Sequence, residues 1–321
     1  MRIAFLWKWW SGKSTLSTSF ASYLHQSNQK TVFVDADINM NWLQILWFNP
    51  AWFPFLADKK NEIMDYTFSN RNDIDKKYYL WVTPASQKSN FYHLNDENMK
   101  NLSQKNIEWL PMMWIWWYSS EEIGFNCYHG KSDGYICFLN HLIDINDEYL
   151  VIDSVTWIDN TSSPLAYSYN LNVIVVEPTH KSIGVCRDFI TALNKNNIEA
   201  NICVVWNKIN DKDDEKFIRE NIWDLEYIWW VKYLDSMVDF DQWSHQWFFD
   251  FVNQNIQLYK KIIDFSHKTS FDKNKYYQDM YKYYSLVCDS YYNKYFWMNI
   301  KNKINKNLDF NTIYNNELSK N

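Results

Sequence analysis

Glycine is almost missing from this chain, with five residues among 321, against roughly 7% in globular proteins generally. Tight turns and close backbone approaches that need a residue without Cβ must therefore be few, or must carry something else. Proline is nearly as scarce, at six residues, and arginine occurs only at Arg2, Arg71, Arg187 and Arg219. The five cysteines are odd in number and irregularly spaced, which excludes a disulfide framework and points to a reducing compartment. No apolar run approaches the ~18 residues that a membrane-spanning helix requires. Met1 and Arg2 lead straight into an apolar strand and leave no room for a secretory signal, so the expected location is the cytoplasm. A formal net charge of −6 argues against general or sequence-specific nucleic-acid binding, because a basic surface is what attracts phosphate backbones.

What the chain has in excess is tryptophan, at 19 residues. Tryptophan and glycine together make 24 residues, an ordinary share for glycine alone. Asn, Lys, Tyr and Ile are abundant while arginine is rare, the mark of AT-rich coding. The expectation is that the source reads UGA as glycine, so that many of these tryptophans stand for glycine. Trp52, Trp109 and Trp114 are candidates for authentic tryptophan.

Apolar runs of strand length occur at Ile3–Leu6, Thr31–Val34, Tyr79–Val82, Ile107–Met113, Tyr149–Ile152, Val173–Val176, Ile202–Val205 and Tyr227–Val231. Helical periodicity marks Lys13–Gln26, Gly134–Ile143, Ile183–Asn194, Asp213–Asn221 and Phe251–Phe265. Fully apolar strands alternating with helices predict a doubly wound α/β domain with a mostly parallel sheet covered on both faces. That domain is expected over residues 1–265. Residues 266–321 then form a Lys/Asn/Tyr-rich helical extension without glycine or proline, in which Lys268–Asn321 carries nine Lys against five acids. Tyr277, Met280, Tyr284, Val287, Tyr291, Tyr295 and Met298 fall at helical spacing there. Such a basic amphipathic helix packs against protein or lies on a membrane.

Residues 3–15 read Ile-Ala-Phe-Leu-Trp-Lys-Trp-Trp-Ser-Gly-Lys-Ser-Thr, an apolar strand, a tight loop and a helix start. A loop that wraps phosphate needs residues that accept positive φ and let backbone N–H groups reach the oxygens. Gly12 keeps one such position; Lys13 is placed to reach β and γ phosphates, Ser14 to offer its hydroxyl to Mg²⁺, and Thr15 to lie at the positive end of the helix. With Trp7, Trp9 and Trp10 read as glycine, the loop becomes G-K-G-G-S-G-K-S-T.

In that form it resembles the deviant Walker A loop of the MinD/ParA ATPases, and the resemblance covers about the first 265 residues. The resemblance implies an ATP- and Mg²⁺-dependent homodimer in which the loop from Trp9, Trp10 and Ser11 to Thr15 holds phosphate. Lys8 matches the family's signature lysine, which reaches the nucleotide of the other subunit. Asp35 and Asp37 fall where the switch I acids lie, Asp35 toward the metal shell and Asp37 toward the attacking water. Asp153, ending Leu150-Val151-Ile152, resembles the Walker B acid on Mg²⁺, and Trp157 falls where a phosphate-sensing glycine is expected. Asn207 and Lys208 resemble the adenine-reading pair, since an amide both donates and accepts. Glu177-Pro178-Thr179 also fits the family pattern.

Cys127 and His129 lie where the carbon monoxide dehydrogenase maturation ATPases of the same family carry Cys-x-Cys. Two such ligands per chain, doubled across a dimer, would make a site for Zn²⁺ or Ni²⁺; a loop Cys and His without metal is the plainer alternative. His93, Cys137 and His141 are possible additional ligands, although Cys137 and His141 at i, i+4 also simply share a helix face. The first functional expectation is accordingly a metal-insertion or metallocentre-maturation ATPase with a client metalloenzyme. The alternatives are a positioning or partitioning ATPase of the MinD/ParA kind, and an inactive relic if the loop indoles are real.

Overall fold

The computed structural model describes residues 1–6, 11–37, 55–72, 85–94, 96–105, 110–115, 131–143, 147–155, 164–195, 197, 199–222, 225–232, 245–269, 272–287, 289, 293–296 and 309–318. Among the described residues eight strands make one sheet: β1 (Arg2–Leu6), β2 (Lys30–Asp35), β3 (Gln104–Lys105), β4 (Pro111–Trp114), β5 (Glu148–Asp153), β6 (Leu171–Val176), β7 (Ile202–Ile209) and β8 (Tyr227–Lys232). Their order is β3-β4-β2-β5-β1-β6-β7-β8. All neighbours pair in parallel except β3 with β4. The central strands β1, β5 and β6 are buried along their whole length, as continuous apolar runs under two helical layers must be.

The sheet lies within the first of two compact units, made of Met1–Phe53, Ser103–Trp114 and Asn146–Ser270. Helix α1 (Lys13–Gln26) follows β1 and packs Phe20 between Phe5 and Tyr259, with ring centroids 5.6 and 5.7 Å apart. The second unit comprises Pro54–Leu102, Ile115–Ile145 and Phe271–Asn321. It contains α2 (Lys60–Phe68), α3 (Glu97–Lys100) and α4 (Asp133–Asn140). The sheet unit continues with α5 (His180–Lys195), α6 (Lys212–Asn221), α7 (His245–Gln254) and α8 (Ile256–Lys268). The second unit closes with α9 (Lys273–Val287), a helical turn at Asn293–Phe296 and α10 (Phe310–Leu318).

The doubly wound, mostly parallel α/β architecture is the one that the alternating apolar runs predict. Several boundaries differ for local reasons. The expected helix over Phe251–Phe265 is two helices, because Asn255 diverts the backbone. Its N–H is shared between the carbonyls of Phe251 and Val252 at 3.2 Å each, and its side-chain Nδ2 also donates to Phe251 O at 2.9 Å. Strand β7 runs on to Ile209 instead of stopping at Val205, carried past a register shift between Trp206 and Ile209. The expected strand Tyr79–Val82 and residues 107–109 of the next one lie outside the described residues.

Candidate functional site

Parallel pairing brings the C-terminal ends of β1, β2 and β5 together, with Phe5 opposite Asp153 and Asp35 opposite Asp153. Where β1 leads into α1, Gly12 adopts φ 80°, a left-handed conformation that costs a residue with Cβ but not glycine. Its carbonyl accepts the first helical bond, from Leu16 N at 3.0 Å. Lys13 is therefore the first residue of α1, and its side chain is buried.

The Lys13 ammonium lies 3.0 Å from Asp37 Oδ2 and 2.9 Å from Asp153 Oδ1, and donates also to the Ser154 carbonyl. Asp37 N donates to Asp35 Oδ1 at 3.1 Å, and Ala36 N to the Asp153 carbonyl at 2.8 Å, so the three acids are tied into one corner. Ser14 hydrogen-bonds to Asp153. Burial works against the Lys13 charge, but the carboxylates of Asp153 and Asp37 overcome it and hold the ammonium above its ordinary range. Burial, with Asp153 and Asp37 adding to it, pushes Asp35 well above the usual carboxylate range. Asp153 is also raised by burial, Lys13 offsetting part of the effect.

One lysine thus serves three buried acids, and burial together with the repulsion among the carboxylates holds Asp35 and Asp153 above the usual carboxylate range. A divalent cation would be the natural complement. The donor set of Ser14 hydroxyl and aspartate oxygens is all hard oxygen and fits Mg²⁺, which keeps several waters and takes few protein ligands directly. Among the described residues, no group of three or more His, Cys, Asp or Glu is placed to hold a metal ion by itself.

On the other side of Gly12, Asn207 Nδ2 donates to the Ser11 carbonyl at 2.5 Å. A Cβ on Gly12 would collide with that same nitrogen. Asn207 Oδ1 and Ser11 Oγ are buried and have no hydrogen-bond partner among the described residues. Of the four described non-glycine residues at positive φ, three are Asn or Asp; the fourth is Lys208, at 60°. That backbone lies in the bulge-like register shift of β7 between Trp206 and Ile209, a feature that re-aims side chains. The Lys208 ammonium lies 2.5 Å from Glu177 Oε1, just past the end of β6.

The structure therefore gathers Lys13, Ser14, Asp35, Asp37 and Asp153 in one cluster, and Ser11, Gly12, Asn207 and Lys208 in a line beside it. Thr15 is buried in the first turn of α1. Lys8, Trp9, Trp10, Trp157, Cys127 and His129 lie outside the described residues. Cys137 and His141 are buried, and the ring Nδ1–H of His141 donates to the Cys137 carbonyl at 2.8 Å. Burial raises the Cys137 thiol to about 12 and lowers His141 to about 3, so both groups are uncharged at neutral pH in this packed setting. His93 faces Glu317 at 3.4 Å. The ion pair from Glu177 to Lys208 and the grip of Asn207 on the loop were not readable in the sequence, since both depend on β6 and β7 being neighbours.

A lysine and three acids at the carboxyl edge of a doubly wound parallel sheet, beside a helix opened by a left-handed glycine, define a nucleotide-binding protein of the P-loop class. The chain belongs to the CobQ/CobB/MinD/ParA nucleotide binding domain family, whose model matches residues 11–244. A search of the curated proteins returns no match. Among solved structures it is similar to a putative plasmid partition protein from Borrelia burgdorferi B31 bound to AMPPNP, at TM-score 0.55 and 14% identity, covering 84% of this chain and 99% of that one. The ParA family ATPase from Chlorobium tepidum TLS gives 0.56 and 17%, over 83% and 96%. Apo McdA from Cyanthece gives 0.52 and 14%, over 82% and 98%. At these identities the likeness is one of fold.

Proposed function

We propose that this protein is an ATP-driven dimeric switch of the partitioning and positioning kind, hydrolysing ATP with Mg²⁺. The observation that carries the reading is Lys13 held between Asp37 and Asp153 at the start of a helix opened by Gly12. In this reading the loop amides and the α1 N-terminus take the phosphates. Lys13 exchanges its carboxylates for phosphate oxygens, and Asp37, freed from it, orients the attacking water. Ser14, Asp35 and Asp153 would hold Mg²⁺ and its waters, and the ion would supply positive charge against the phosphates. Asn207 faces the base, Lys208 carries the backbone that aims it while its ammonium pairs with Glu177, and Lys8 completes the site of the partner subunit. The family and the partition and ParA folds that the chain resembles favour this reading over metallocentre maturation. Maturation rests on Cys127 and His129, which lie outside the described residues.

The reading includes glycine in the natural product at positions 7, 9 and 10. Tryptophan is a conformational outlier at positive φ, and two indoles at Trp9 and Trp10 would stand where phosphate must meet backbone. Support comes from the five glycines in 321 residues and from a family match that begins at Ser11, directly after the indoles. Mass spectrometry of the natural protein checks the residues themselves.

Titration with Mg²⁺–ATP tests the site. The chain with glycine at 7, 9 and 10 is expected to bind saturably. The chain as written, and the glycine chain carrying Lys13→Ala, should bind at least about tenfold more weakly. Equal binding by the Lys13→Ala chain would defeat the assignment. Stoichiometric Zn²⁺ or Ni²⁺ lost on Cys127→Ala would return the maturation reading to first place.

A further inference from the structure

We propose that Glu177 is a positioning residue for base recognition, acting through the backbone of Lys208 on the Asn207 amide; this rests on the nucleotide-binding reading. Asn207 is buried, and its orientation is settled by its partner. The Ser11 carbonyl can only accept, so the atom facing it is Nδ2. That leaves the second amide proton and the unpartnered Oδ1 for a ligand. A 6-aminopurine fits this pair, its exocyclic amine donating to Oδ1 and its N7 accepting from Nδ2. A 6-oxopurine would set its own oxygen against Oδ1, so the arrangement selects adenine over guanine.

The aim of Asn207 depends on the residue after it. Lys208 holds a left-handed conformation that bulky residues seldom adopt, and it sits inside the register shift of β7 between Trp206 and Ile209. Glu177 supplies the anchor by holding the Lys208 ammonium at 2.5 Å. The anchor is itself pinned: Glu177 N donates to Ser182 Oγ at 3.0 Å, Thr179 N to the Glu177 carbonyl at 2.7 Å, and Ser182 N to Thr179 Oγ1 at 3.2 Å. The start of α5, the bulge and the phosphate loop thus form one chain of contacts ending at the Ser11 carbonyl. Base and phosphate recognition share the Asn207 amide.

The test compares Mg²⁺ complexes of ATP, GTP and inorganic tripolyphosphate by calorimetric titration on the full ATP-binding chain. Glu177→Ala is expected to weaken ATP about tenfold while leaving GTP and tripolyphosphate unchanged, collapsing the ATP-to-GTP ratio. Lys208→Gly alone should keep the ratio, and Glu177→Ala with Lys208→Gly should restore it, because glycine takes φ near 60° without an anchor. A merely structural role would lower all three ligands together and gain nothing from the glycine. An unchanged ratio in Glu177→Ala, or a ratio lost in Lys208→Gly, overturns the inference and leaves nucleotide binding standing. A parent chain that binds neither ATP nor GTP overturns both.

Discussion

Two buried bases in this protein reach opposite solutions. Lys13 stays charged because Asp37 and Asp153 face it. His141 has no such partner: its ring lies against Phe68 and Phe91, with centroids 5.1 and 5.8 Å away, and burial drives it down to about 3. In the unfolded chain a histidine titrates near its ordinary value of 6.5. Between those two values the unfolded state binds a proton that the folded state refuses, so stability is complete above pH 6.5 and is lost as the pH falls. The slope is about 1.4 kcal/mol per pH unit from this residue alone. Denaturation midpoints measured from pH 7.5 to 4.5 should show it, and His141→Phe, which suits an aromatic slot, should flatten the profile. An equally steep profile in that variant would place the acid sensitivity elsewhere.

At the scale of the element, the clearest local signal is the start of α6. Asp211 accepts from the backbone N–H of both Asp213 and Asp214, at 2.9 and 3.0 Å, and three acids fill the first turn. Asp211→Ala is expected to cost about 1 kcal/mol in chemical denaturation, as loss of an N-cap does. The main strands, α1 and α6 were legible because their information is local: apolar runs, a glycine before a lysine, an aspartate before a charged turn. The end of β7 was not. Asn207 and Lys208 look like a turn after a strand, and only pairing with β8, which the local residues do not encode, carries the strand through a bulge to Ile209. The break at Asn255 escaped for a related reason, since the apolar period runs through it and one side-chain bond to Phe251 decides the matter. Of the candidate site, the acids and Lys13 were legible as strand and helix ends. Their tight mutual contacts follow from strand order, which no single segment contains.

For the whole molecule, the consequence concerns the last fifty residues. Their Lys-rich, glycine-free composition invites removal as a way of testing for a surface-binding tail. The structure makes that deletion a test of folding instead, because Phe271–Asn321 clusters with Pro54–Leu102 and Ile115–Ile145. Asn140, at the end of α4, is buried and satisfied by α9. It donates to Tyr284 Oη, accepts from Tyr276 Oη at 2.9 Å, and offers its carbonyl to Tyr277 Oη at 3.4 Å. Met280 and Ile313 are buried as well, and His93 faces Glu317 of α10. Ending the chain at Ser270 removes every one of these partners and uncovers the apolar surface that they cover. Calorimetry of that truncation should lose the transition of the second unit, and trypsin should open it at Lys59, Lys60, Arg71 and Lys88. Tyr284→Phe in the full chain deletes only the acceptor of the Asn140 amide and should cost about 1–3 kcal/mol, the usual range for stranding a buried polar group. A truncated chain that kept both its calorimetric transition and its resistance to trypsin would show that the terminal helices are dispensable for folding. With the loss expected here, any role of the tail in binding a surface has to be probed by single exchanges at exposed positions such as Lys282 and Leu286, which leave the buried packing of the unit in place.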